Sequence, residues 1–128
     1  MTDTTTTTTD TGVLLDTYFE MWRTTDPAER AALVAQAFTE DGRHVDKHAD
    51  ATGHAELVEM ITGVHAGFPG FQMARTSGVD RFGDQLRFAW DLNAADGSPI
   101  VAGLDIAEVA ADGRLQRVTG FWGALPEA

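Results

Sequence analysis

Apolar residues follow two different periods along this chain. Up to about residue 67 they return mainly every three or four positions, and from Phe71 onward they mostly alternate with polar ones. The first period predicts helices. Val13, Leu14, Tyr18, Met21 and Trp22 share one side of a helix over about 12–24, with Phe19 broadening the stripe. Asp26-Pro27-Ala28-Glu29 starts a second: Asp26 caps it, Pro27 suits the first turn, and Glu29 can reach back in capping-box fashion. That helix runs to about Phe38. Thr39-Glu40-Asp41-Gly42 then reads as a turn, and residues 43–48 as a short strand. Gly53-His54-Ala55-Glu56 opens a third helix with Leu57, Val58, Met60, Ile61 and Val64 on its apolar side, ending near Gly67. His54 falls in its exposed first turn. His65 falls near its C-terminus, where the helix dipole favours a positive imidazole. Strands over about 71–81, 85–93, 100–109 and 114–122 complete a meander, joined by Asp- and Gly-containing turns suited to hairpins.

The stretch from Ile100 to Ala107 is apolar on both faces except for Asp105. Alternation puts Val101, Gly103, Asp105 and Ala107 on one side and Ile100, Ala102, Leu104 and Ile106 on the other. A lone carboxyl in such a wall needs a partner, a proton or a cavity. Gly103, on the same face, is expected to leave empty space beside it. Tyr18 sits inside its helix's apolar stripe, so its hydroxyl needs a buried partner too. Leu86, Phe88, Trp90 and Leu92 share a face in one strand, and Gln116, Val118, Gly120 and Trp122 in another. These could wall a pocket.

Composition narrows the functions open to such a fold. With 128 residues and 43% hydrophobic content, one domain with a single core is expected over 12–128. Residues 1–11 are a threonine-rich run with nothing to bury and are expected to be a disordered tail. The net charge of -11 makes nucleic acid and anionic membrane poor partners. The chain has no cysteine, hence no thiol nucleophile and no cysteine metal site. With no secretion signal and no spanning run, a cytoplasmic protein is expected. His44, Asp46 and His48 alternate on one strand face. Three ligands about 7 Å apart along a straight strand do not converge on one ion, so no metal site is expected.

Tyr18, Asp26-Pro27, Phe38-Thr39-Glu40-Asp41-Gly42, Asp46, Gly53, Phe68-Pro69-Gly70-Phe71, Gly103-Leu104-Asp105 and Asp112-Gly113-Arg114-Leu115 occur in an order that resembles the nuclear transport factor 2-like superfamily, its SnoaL-like branch in particular. The resemblance spans about residues 12–123. It implies an α+β fold: three N-terminal helices packed on a strongly curved, mainly antiparallel sheet, forming a cone with an internal pocket. Comparison with ketosteroid isomerase implies roles. Asp46 resembles the proton-shuttling base. Tyr18 and a protonated Asp105 resemble the donors to the enolate oxygen, and Trp122 a pocket aromatic. His44, on the Asp46 face, could orient it or assist proton transfer. Met60, Leu86, Phe88, Trp90, Val101, Val118 and Trp122 would bury a small apolar ligand. The sequence departs from the family at Lys47, where proline usually follows the base; an ammonium folded back there would lower the Asp46 pKa. The implied function is cofactor-free acid/base catalysis, an isomerase or cyclase acting through an enolate of an apolar carbonyl compound. Alternatives are a non-catalytic ligand-binding or assembly module and an epoxide-opening enzyme. Helices on one sheet face leave Ile100, Ala102, Leu104 and Ile106 to be covered, which predicts a homodimer through the outer face.

Overall fold

The computed structural model describes the backbone of residues 3–128 and the side chains from Thr11 onward. Its elements are α1 (Asp3–Arg23), α2 (Pro27–Ala37), β1 (Phe38–Val45), β2 (Asp50–Thr52), α3 (His54–Gly67), β3 (Gln72–Arg75), β4 (Asp80–Phe82), β5 (Gln85–Asn93), β6 (Pro99–Val109) and β7 (Leu115–Trp122). The expectation of a tail over 1–11 falls mostly on residues whose side chains lie outside this description. Thr11 is buried and accepts a hydrogen bond from Arg81 at 2.6 Å.

The helices lie on one side of a curved, unclosed sheet ordered β2-β1-β7-β6-β5-β3, with β4 also paired to β5. Every pairing is antiparallel except β1 with β7. The inward faces follow the alternation. Leu86, Phe88, Trp90 and Leu92 of β5 are all buried, as are Asp105 and Ala107 of β6 and Val118 of β7. On α1 the buried stripe is Leu14, Leu15, Tyr18, Phe19, Met21 and Trp22; Val13, expected inside, is 59% exposed, and Leu15 takes its place. Asp26 caps α2 by accepting from the Ala28 amide at 3.2 Å, with Pro27 in the first turn. Glu29 stays exposed.

Local differences from the sequence reading have identifiable causes. The expected turn at Thr39–Gly42 is a bulge inside β1: the register with β7 shifts between Phe38 and Arg43. Asp41, at its tip, accepts from Thr39 at 3.1 Å and Gln116 at 3.2 Å. β1 stops at Val45, so Asp46 and His48 belong to the following loop and not to one strand face. The expected single strand over 71–81 is broken into β3 and β4, because the Ser77 hydroxyl takes the Ala89 amide at 2.8 Å in place of a backbone carbonyl. His54 is half-buried, with Nε2 2.9 Å from Phe38 O. The surroundings of His65 oppose the dipole-stabilised charge expected there. Its Nε2 donates to Trp22 O at 2.8 Å, tying α3 to the end of α1, and burial pulls its pKa below the ordinary imidazole value.

Candidate active site

A cavity of about 680 Å³ lies between the helices and the inner face of the sheet. At its inner wall stands Asp105, 3% exposed. Its two oxygens have separate partners. Tyr18, reaching across from α1, places its hydroxyl 2.8 Å from Oδ2. Trp90, on the neighbouring strand, donates its indole N–H to Oδ1 at 2.9 Å. The Trp90 bond depends on a glycine. Trp90 and Gly103 are register partners across β5 and β6, and the indole lies where a side chain at 103 would stand. The empty space expected beside Asp105 is therefore filled, by the ring that holds the carboxyl.

The second carboxyl comes from the β1 end. Asp46 Oδ2 is 3.0 Å from His44 Nε2, and its Oδ1 accepts the His48 amide at 2.7 Å. The side chains of His44 and Asp46 are 5% and 6% exposed. A Cβ placed on Gly120, which faces Asp105 in the β6–β7 register, would lie 3.0 Å from Asp105 Oδ1 and 3.5 Å from Asp46 Cβ. Those atoms are thus separated by no more than the two distances laid end to end. The bare backbone of Gly120 lets the two acids share one chamber.

Their environments push them in opposite directions. Burial raises the Asp105 pKa above the ordinary carboxylate value, against the pull of His44, Tyr18 and Trp90. For Asp46, burial also pushes upward, but His44 and the His48 amide outweigh it and leave the pKa lowered. Lys47 is exposed, and the lowering does not come from it. Burial, reinforced by the Asp105 charge, carries the Tyr18 phenol well above its usual value, so it stays a hydroxyl. Two carboxyls facing one cavity, one with its pKa pushed up and the other with its pKa pulled down, is an arrangement that acid/base chemistry uses.

Tyr18, His44, Asp46 and Asp105 all line the cavity, as do Met60, Trp90 and Trp122. Leu86, Phe88, Val101 and Val118 do not. Phe88 is packed under Tyr18 and Phe19, with ring centroids 5.9 and 5.5 Å away, because α1 covers that part of the sheet. Leu86 and Val118 are buried core, and Val101 packs against the core's edge. The sequence reading missed several lining residues. His48 is exposed at the cavity's edge, with its ring centroid 4.7 Å from that of Trp122. On α3, Glu56, Glu59, Gly63 and Val64 line the cavity with Met60. Their spacing of three, four and seven marks one helix face, a signal present in the sequence. Trp22 also lines the cavity; its Nε1 and His44 Nδ1 are buried without a hydrogen-bond partner among the described residues.

A pocketed cone with two carboxyls facing one chamber defines a class: α+β proteins with a cavity sized for a small molecule. Comparison with known proteins supplies the family. A SnoaL-like family protein from Agrobacterium tumefaciens, described as a proposed isomerase, is 30% identical; the match covers 91% of this chain and 99% of that one, with a TM-score of 0.85. The chain belongs to the SnoaL-like family. The same fold occurs in an NTF2-like protein of unknown function from Exiguobacterium (22% identity, 88% and 99% covered, TM-score 0.71). It also occurs in a proposed polyketide cyclase from Sinorhizobium meliloti (16% identity, 84% and 92% covered, TM-score 0.68). No family model matches the chain, and no curated protein matches it by sequence. No helix among the described residues is long and apolar enough to cross a membrane.

Proposed function

We propose that this protein is a cofactor-free acid/base enzyme, an isomerase or cyclase that acts through the enolate of a small, mostly apolar carbonyl compound. The observation that carries this reading is the pair of carboxyls, Asp46 and Asp105, driven apart in acidity inside one chamber. Asp46 takes the proton alpha to the carbonyl. The C–H electron pair passes into the enolate, and charge develops on its oxygen. The hydrogen-bonded pair of Tyr18 and protonated Asp105 meets that charge. Isomerisation follows if Asp46 returns the proton to a different carbon, and cyclisation if the enolate carbon attacks a second carbonyl. His44 holds the Asp46 carboxylate in place. It also makes Asp46 a weaker base, so the reading favours substrates whose C–H is already activated.

The cavity also suggests the substrate's charge. Asp46, Asp50, Glu56, Glu59 and Asp105 line it, and no lysine or arginine does. A neutral or cationic ligand suits that field and a carboxylate or phosphate does not. The epoxide-opening alternative requires an arginine between paired acids and is not carried forward. The binding-module alternative has one observation in its favour: both Asp46 oxygens are already engaged.

Exchange of alpha protons for deuterium, followed by NMR over a panel of neutral ketones, separates these readings without knowledge of the substrate. Binding of naphthol, an enolate mimic, is measured beside it. Catalysed exchange that is lost in Asp46→Asn, with naphthol binding lost in Tyr18→Phe, supports the enzyme. Naphthol binding with no exchange for any ketone supports the binding module.

The outer sheet face suggests how copies assemble. Leu104 of β6 stands opposite Phe121 of β7, which is 55% exposed, with Ile106 at 38% beside them. Pairing of copies through this patch would cover it. Sedimentation of wild type and Phe121→Lys tests it: a dimer that becomes monomeric is expected, and a wild-type monomer at micromolar concentration would rule it out.

A further inference from the structure

We infer that Trp90 is a positioning residue that decides which Asp105 oxygen carries the proton, and thereby makes the Tyr18 hydroxyl the donor presented to the ligand. The inference rests on the oxyanion reading of the cavity. An indole N–H can only donate. Trp90 Nε1 is 2.9 Å from Asp105 Oδ1, so Oδ1 is an acceptor in every protonation state. In the neutral acid the carbonyl oxygen is the better acceptor, and the N–H selects it. The acid proton is left to Oδ2, which lies 2.8 Å from the Tyr18 oxygen. Asp105 then donates to Tyr18, and the Tyr18 proton is free to turn toward the cavity that Tyr18 lines. When Asp105 is ionised the direction reverses. Tyr18 must donate to Oδ2, and no O–H of the pair is left for a ligand.

The surroundings hold the indole in this position. Trp90 is 3% exposed and lies edge-on to Trp122, with ring centroids 5.8 Å apart. On its other side the ring fills the place of a Gly103 side chain. The titratable groups that bear on Asp105 are Tyr18 from α1 and His44 and Asp46 from β1 and its following loop; β7 adds none, since Gly120 faces Asp105 with Trp122 beyond it. The donor to the enolate is therefore a relay, Asp105 to Tyr18 to ligand, gated by the one proton that Trp90 steers.

The test is naphthol affinity as a function of pH in wild type and Trp90→Phe, each with and without Tyr18→Phe. In wild type, affinity falls as pH rises and Asp105 loses its proton. Trp90→Phe keeps a ring but removes the donor that favoured the charged form, so the fall moves about one pH unit higher. Freed Oδ1 can then carry the proton and donate directly. Tyr18→Phe accordingly costs about tenfold in wild type and about threefold or less in the Trp90→Phe background. An unmoved midpoint, with the same Tyr18→Phe factor in both backgrounds, overturns the inference. A role in packing alone would lower affinity equally at every pH. Should Trp90→Phe not fold, the unmutated protein still decides: the Trp90 indole N–H resonance must titrate with the Asp105 midpoint, and an invariant resonance refutes the assignment. Wild type that binds no naphthol at any pH defeats the oxyanion reading, whereas a titrating indole still reports that Trp90 bears on the Asp105 proton.

Discussion

Gly103→Ala is the smallest change that strikes both the fold and the site. A Cβ at 103 would collide with the Trp90 ring and lie 2.6 Å from the Phe121 carbonyl oxygen. The carbonyl belongs to the β7 backbone, paired to β6 along its length, and cannot retreat alone. The indole can swing away only by giving up its bond to Asp105 Oδ1. Forcing a methyl into a filled core costs about 1–3 kcal/mol. Leaving a buried acceptor without its donor costs about 1–3 kcal/mol more. Together these come to roughly 4 kcal/mol, a large share of the ~5–15 kcal/mol that keeps a domain folded. For a chain of this size the melting temperature should fall by about 10–20 °C. Circular dichroism melts of wild type and variant measure it. In a Trp90→Ala background the ring is gone and only the carbonyl contact remains, so the same substitution should cost at most about half as much. A Gly103→Ala protein melting within about 3 °C of wild type would show that Trp90 has room to move and that Gly103 does not seat it.

Gly120→Ala places a methyl 3.0 Å from Asp105 Oδ1; naphthol affinity should drop about tenfold with the fold retained at a cost of about 1–3 kcal/mol, and unchanged affinity would mean the acids do not share one chamber. Burial raises the Asp105 pKa, so its contribution to stability is full below the unfolded carboxylate pKa and is lost as pH rises through the raised value. Asp105→Asn, uncharged throughout, should therefore gain on wild type in urea midpoint as pH rises above about 4, the unfolded carboxylate value; a difference that stays constant with pH contradicts this. At low salt, tyramine should bind about threefold tighter than para-ethylphenol and hydroxyphenylacetate about threefold weaker, with Glu59→Gln narrowing the spread. Equal affinities would remove the acidic lining from any part in selection.

The helices and the inward faces were legible because each rests on a local rule. Asp26 and Pro27 mark a helix start whatever follows, and alternation in β5 and β6 needs only the pleat. Tyr18, Asp46 and Asp105 could be singled out as polar groups in apolar runs or by family resemblance. What alternation does not carry is which side chain fills a neighbour's empty volume. Gly103 read as a gap because its occupant, Trp90, arrives from another strand in a register fixed only by the folded sheet. The same limit applies to His44 and Asp46. Strand spacing holds alternate residues about 7 Å apart, and they meet only because β1 ends at Val45 and the chain bends. Leu86, Phe88 and Val118 point inward as expected, yet all three are packed into the core, Phe88 beneath Tyr18 and Phe19, and none lines the cavity.

The parallel pairing of β1 with β7 has a consequence for how the molecule comes into being. His44 lies opposite Val118 and Val45 opposite Thr119, partners far apart in sequence and joined by no hairpin. The seam closes a loop that contains everything from β2 to β6, so its loop-closure cost is large and favours late pairing. Asp46 hangs from one side of the seam, and Gly120 and Trp122 from the other. On a ribosome, the helices and the β5–β6 hairpin could form while the chamber still had no wall between its two acids. Binding competence would then arrive in a single late step, and a ligand that grips the closed chamber would act as a clasp on the seam, slowing its opening more than it speeds its closure.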